Sequence, residues 1–289
     1  MPKSRILLMA IAVSTLVSFT QAQSSPTEDR FQRSFTLQPG STVSVKNYKG
    51  IIRIEAADTN EASVDVKKVW EGRNDSHRDE WLRDVKVSFS NEPKRLDVRV
   101  EYPNYSHRFT FGCFTDCDEW GGHVELVLRV PRQSNLDIDG YKPELKIVGT
   151  KGDIRVHSYK SSIEIRDTTG AIDIDTYKDR IVLDNVALRG RLHIHDYKAE
   201  TEVRASELAE GADLDTSKGT IRLQVPADSK FNVDISGDRH SEIRSDFATH
   251  LDAGYSRHLT GAVNGGGPEV RIRTEKGSVA LLKTGESSM

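Results

Sequence analysis

His193 and His195 stand two residues apart in "LHIHDY", and Asp173 and Asp175 repeat that spacing in "IDIDTY". Alternate residues of an extended strand share a face, so each pair presents its side chains together. His157 falls in the same frame one unit further back. Imidazole with carboxylate suits zinc or another transition ion, so these five residues form a candidate metal site. Zinc is the one cofactor the sequence suggests.

The same residues also read as architecture. One series of positions runs Lys46, Asp139, His157, Asp175, His195, Asp215, and its neighbour runs Ser44, Asp137, Arg155, Asp173, His193, Asp213. From residue 137 onward acid and base alternate, and Arg271 and Arg273 continue the alternation if 231–244 is passed over. In a parallel stack with neighbours about 5 Å apart, alternating signs attract and like signs repel. A charge ladder that fixes register is the stronger reading, because a flat wet face offers a metal no supporting shell.

A second constellation is Tyr-Lys, found at 48–49, 141–142, 159–160, 177–178 and 197–198. Tyr48, Tyr141, Tyr159, Tyr177 and Tyr197, with Lys160, Lys178 and Lys198, would make either an aromatic corner or an aromatic-basic strip for a glycan or anionic envelope polymer. Cys113 and Cys117, in "FTFGCFTDCDEW", are the only cysteines. In an exported protein they read as a small-loop disulfide, with free thiols or a metal pair as the alternatives. No G-x-S-x-G, H-E-x-x-H or Walker loop is present, so no catalytic residue is assigned.

The elements that position these groups follow from the spacing. The steps from Tyr141 are 18, 18 and 20 residues, and Ser217-Lys218, a further 20 on, keeps the frame with the tyrosine replaced. Apolar residues sit five and three before each anchor (Ile172 and Ile174, Leu192 and Ile194) and four and six after it (Ile181 and Leu183, Ile221 and Leu223). Only Thr201 and Ala212 depart from a bulky apolar type. Period two within each group means strands with one buried face, and a fixed period of this length means stacked units. The expected fold is all-β: a two-sheet parallel β-solenoid of 18–20 residues per rung, two strands per rung, with an inserted strand-rich block and one short helix. Gly152, Gly170, Gly190 and Gly211 each precede a first strand, where a positive φ is expected.

Serial "G-x-I-x-V-x-x-x-x-G" half-repeats behind an apparent leader resemble the bacterial exported β-solenoid domains grouped as putative adhesins, a family of unknown function. The resemblance spans roughly 40–285. It implies a cell-envelope role and supplies no active-site residues. Members commonly place Ser-Gly or a similar pair where this chain has Tyr-Lys, so no role for that corner carries over.

Around the regular rungs of 136–225, residues 60–131 read as the inserted β block. "SHRDEWLR", with Ser76 and Asp79 in capping-box spacing, reads as the short helix. Residues 226–285 read as a degenerate rung near 231–244, a polar loop with a turn at Gly265–Gly267, and a final rung. The opening "MPKSRILLMAIAVSTLVSFTQAQS" has a basic start, a 14-residue apolar run and a small-residue cleavage site. It therefore reads as a signal peptide over 1–22, cut after Ala22, and is too short for a membrane span. The remainder, 23–289, is expected to form one domain with no membrane span.

Loss of Lys3 and Arg5 takes the formal charge from −3 to −5, which argues against a nucleic-acid partner. The expectation is a periplasmic or extracellular scaffold or adhesin-like binding protein without catalysis, whose partner is an envelope polymer or protein. The runner-up is a polysaccharide lyase or hydrolase using the outer face.

Overall fold

The computed structural model describes residues 28–72, 75–103, 121–253 and 256–284. The leader at 1–22 and the pair Cys113 and Cys117 lie outside the described residues. Strands β1 (Glu28–Thr36), β2 (Thr42–Ala57) and β3 (Glu61–Trp70) precede a 3-10 turn and helix α1 (Arg78–Asp84). Next come β4 (Lys86–Glu92), β5 (Arg95–Glu101), β6 (Gly122–Pro131), β7 (Asn135–Val148), β8 (Ile154–His157) and β9 (Lys160–Arg166). Two long strands follow, β10 (Ile172–Leu188) and β11 (Leu192–Leu208), then β12 (Ala212–Thr216) and β13 (Thr220–Val225). The chain closes with β14 (Phe231–Asp238), β15 (Glu242–Ser245), β16 (His250–Ala253), β17 (Ser256–Val263), β18 (Glu269–Thr274) and β19 (Ser278–Lys283). Among the described residues the fold is all-β with one helix, and no helix is long and apolar enough to cross a membrane.

Period-two alternation places the apolar columns inside. Ile154 pairs with Ile172, Ile172 with Leu192 and Leu192 with Ala212, all parallel and in register. Ile163, Ile181, Thr201 and Ile221 do the same after the corner. Every one of these side chains is buried. A fully buried aliphatic side chain contributes about 1.5–3 kcal/mol, so these columns dominate stability.

Parallel pairings among the described residues build two ladders. The first runs β5, β2, β7, β8, β10, β11, β12, β18, β14. The second runs β6, β2, β7, β9, β10, β11, β13, β19, β15. Antiparallel strands close three ends: β4 on β5, β3 with β1 on β6, and β17 with β16 on β14. The fourth end is the short β15. Short or covered edges limit edge-to-edge pairing.

Within the inserted β block, β5 and β6 extend the two ladders: Leu96 and Val98 stack on Val43 and Val45, and Leu126 and Leu128 on Ile52 and Ile54. The final segment does not follow 231–245 in space but enters between it and 212–225. That order keeps like charges apart. The column reads Asp213, Arg271, Asp234 as built, whereas stacking in chain order would set Asp213 directly against Asp234.

Two local expectations are corrected. The helix starts at Arg78 with His77 as its cap residue and no side-chain cap. A 3-10 turn takes up Asp75–His77 ahead of it, and buried Trp81 anchors the helix. Gly170 and Gly211 have positive φ, but Gly152 and Gly190 do not. At those two positions close approach requires glycine: a Cβ on Gly152 would lie 2.4 Å from the Ser134 carbonyl oxygen, and one on Gly190 2.7 Å from the Ala171 Cβ.

Candidate functional site

The five Tyr-Lys tyrosines form one continuous stack. Centroids are 4.9 Å apart from Tyr48 to Tyr141, 4.9 Å to Tyr159, 4.8 Å to Tyr177 and 4.9 Å to Tyr197. Interplanar angles are 4° to 10°. Strand spacing in a sheet is about 4.8 Å, so the parallel ladder itself sets the ring spacing. Each interior ring therefore spends both faces largely on its neighbours. What remains for a ligand is a strip of ring edges and phenol hydroxyls, not the open ring faces on which a sugar would stack.

Both ends of the stack are finished. Half-buried Tyr102 meets Tyr48 edge-on at 6.3 Å. Its hydroxyl lies 2.9 Å from Asn47 Oδ1 and 2.7 Å from the Lys49 carbonyl oxygen, and it accepts the Val124 N–H at 3.1 Å. Burial holds this phenol above the usual tyrosine value. At the far end Ser217 replaces tyrosine, and the Lys218 ammonium takes the vacated face, 4.9 Å from the Tyr197 centroid. Lys218 Nζ also donates to the Tyr197 hydroxyl at 2.6 Å, which raises the Lys218 pKa.

The lysines stack in register too: Lys160, Lys178 and Lys198 are direct neighbours across β9, β10 and β11. Among the described residues none of the three is paired with a carboxylate. Lys142 and Lys160 lie over their adjacent tyrosines at 5.4 and 5.2 Å. Like charges at strand spacing repel, and an unpaired column of this kind is stabilised by any polyanion laid along it.

On the other flank of the tyrosines runs a groove of about 530 Å³, lined by the five rings and by Lys46, Asp139, His157, Asp175 and His195. The structure thus brings the tyrosine strip and three of the five candidate metal residues, His157, Asp175 and His195, onto one feature. The carboxylates there are well exposed, Asp139 at 46% and Asp175 at 56%. They face basic neighbours along the ladder: Lys46 and Asp139 form an ion pair at 2.6 Å, and His157 Nδ1 lies 3.6 Å from the Asp175 carboxylate. The adjacent column continues this with Arg155–Asp173 at 3.4 Å and Arg273–Asp213 at 3.4 Å.

His193 lies in register between Asp173 and Asp213, and His195 between Asp175 and Asp215. Among the described residues no three His, Cys, Asp or Glu side chains converge to hold a metal ion. His157, Asp173, Asp175, His193 and His195 are rungs of the charge ladder, each one strand spacing from its neighbour, and the zinc expectation is not carried further.

Behind the tyrosines the interior is polar where the columns on either side are aliphatic. Ser158 donates to Thr176 Oγ1 at 3.0 Å, and Thr216 Oγ1 donates to Asp196 Oδ1 at 2.6 Å. Asp196 is 1% exposed and also accepts the Ala199 N–H at 2.8 Å. Thr201, an exception in the aliphatic pattern, points its hydroxyl at Asp196 Oδ2 at 3.5 Å. Burial pushes the Asp196 carboxyl above the ordinary carboxylate range, against these hydrogen bonds. Sequence reading named neither Tyr102, which lies outside the Tyr-Lys frame, nor this inner column. The run Ser158, Thr176, Asp196, Thr216 one residue before each anchor was the available signal.

The corner is thus a linear surface of ring edges, phenols and ammonium groups that do not converge on one point. No family model and no curated protein matches the chain. Solved structures to which the chain is similar are described as putative adhesins, in keeping with the half-repeat resemblance. A cell adhesion protein of that description from Clostridium sporogenes is 8% identical over 89% of this chain and 100% of its own, with a TM-score of 0.34. A putative adhesin from Bacteroides fragilis is 6% identical over 88% and 97%, with a TM-score of 0.41. A putative lipid binding protein from Parabacteroides distasonis is 9% identical over 89% and 97%, with a TM-score of 0.28. Likeness at this level decides nothing about function.

Proposed function

We propose that the two parallel ladders are the two sheets of a flattened β-solenoid, exported to the bacterial envelope, and that the tyrosine corner binds a linear anionic envelope polymer without catalysis. The observation that carries this reading is the in-register column of unpaired Lys160, Lys178 and Lys198 beside the stacked rings. A polymer with regularly spaced acidic groups would neutralise that column while its hydroxyls meet the phenols. The acidic-glycan lyase or hydrolase reading loses support, because the groove's carboxylates are exposed and face basic neighbours, and are not convergent and desolvated.

The test is co-sedimentation with purified envelope polymers, both acidic and neutral, at low and high salt. Acidic polymers should bind, and raised salt should weaken them. Exchanging Lys178 and Lys198 for Glu should weaken binding by about tenfold or more, since two charge-assisted contacts are reversed. Tyr159→Ala with Tyr177→Ala should also reduce it. Equal retention by wild type and both variants would remove the proposal.

A further inference from the structure

A different part of the surface breaks the alternation of charge in a way that points to a small ligand. On the outward face of the second ladder, Arg222, Ala280 and Arg244 stack in register across β13, β19 and β15. Elsewhere on this face basic residues find acidic partners: Lys146 pairs with Glu164 at 3.5 Å, Arg204 with Asp184 at 3.2 Å and Arg222 with Glu200 at 3.3 Å. Between Arg222 and Arg244 the position an acid would fill holds a methyl group.

A third arginine, Arg257, comes from β17, the antiparallel strand that closes the first ladder, and lines the same groove of about 380 Å³. Among the described residues neither Arg244 nor Arg257 has a carboxylate or hydrogen-bond partner. Thr220 and Ser278 line the groove as well, their hydroxyls 3.1 Å apart. Glu242 is the one acid there. Arg222 is already paired with Glu200, so the groove's surplus lies in Arg244 and Arg257, whose two guanidinium groups face the single carboxylate of Glu242 over a small, uncharged floor.

We propose that this groove binds a tetrahedral oxyanion, a phosphate or sulfate group, seated over Ala280 between Arg222 and Arg244 with Arg257 closing from the side. Guanidinium forks match such oxygens with paired N–H donors, and the Thr220 hydroxyl, which accepts from Ser278, supplies a neutral donor. The anion takes the place of the missing acidic rung and completes the ladder. The groove lies on the second ladder, away from the Tyr-Lys corner, so it stands or falls independently of the polymer-binding reading.

The test is isothermal titration of the full chain with inorganic sulfate and with inorganic phosphate, at ionic strength held constant with chloride. Saturable one-to-one binding is expected with at least one of the two, and which one binds identifies the group. Arg244→Gln with Arg257→Gln should weaken it by about tenfold or more, as expected for loss of charge-assisted hydrogen bonds. Ala280→Glu supplies the missing acid in place. It should abolish binding while leaving the far-ultraviolet dichroism intact and the melting temperature equal or higher. Heats indistinguishable from chloride, or full affinity in a folded Ala280→Glu variant, would overturn the assignment.

Discussion

Asp196 carries an ionisable group into an interior otherwise sealed by aliphatic columns, and its neighbours show how that is tolerated. Thr216, Ala199 and Thr201 supply donors to the two carboxyl oxygens, yet desolvation outweighs them and the pKa is raised. The sign then follows. A carboxyl with a raised folded pKa binds its proton more tightly in the fold than in the unfolded chain. Its contribution is most favourable below the unfolded pKa and declines as pH climbs through the folded one. Asn at this position keeps an Oδ1 acceptor for Thr216 and Ala199 without charge, and its amide N–H can donate to the Thr201 hydroxyl in place of accepting from it. Asp196→Asn should therefore gain stability relative to wild type as pH rises from about 4 to about 7, read by urea unfolding at both values. A difference that does not change with pH would mean that the carboxylate is not strained by burial.

The strands and their turns show what glycine contributes to each rung. Gly170 combines a positive φ with a contact that a Cβ would bring to 2.5 Å from the Gly152 carbonyl oxygen. Gly40 has φ +78 and open space where its Cβ would stand. Gly40→Ala should cost only the left-handed penalty, about 1–2 kcal/mol. Gly170→Ala should cost more, since the backbone of the rung below must also move. Denaturant midpoints of the two variants give the comparison, and equal losses would show that the close approach is relieved without cost.

Much of this layer was legible in the sequence, because a period of two within a period of 18 to 20 fixes both the buried face and the register. Ile154, Ile172, Ile163 and Ile181 lie where the repeat put them. The pairing of β5 and β6 with β2 was harder to read because no Tyr-Lys pair falls between Arg95 and Pro131 to anchor the frame. The arginine groove was hidden because Arg257 reaches it from a strand of the other ladder, and no spacing rule relates it to Arg222 or Arg244.

Across the molecule the order of stacking differs from the order of the chain. The last rung, 269–283, is held between 212–225 and 231–245. Among the described residues β14 has its parallel partner in β18, and β15 in β19. Removing residues 268–289 should therefore expose amides of 231–245 as well, although they precede the cut. Protection of 154–208 should persist, since those rungs keep both neighbours. Hydrogen exchange on the truncated chain reads this directly. If 231–245 stayed protected, β14 would have moved onto β12, and the clash of Asp213 with Asp234 would not be what orders the stack.

The terminal positions of Tyr102 and Lys218 have a consequence for ligand size. From the first stacked ring to the last the strip is about 20 Å long, with the half-buried Tyr102 ring edge-on at one end and the Lys218 ammonium over the other. On the polymer-binding proposal, affinity for a homologous series of oligomers should climb with each added unit and level off once a chain spans the row of phenols. Fragments beyond that length would gain only by recruiting a second protein molecule.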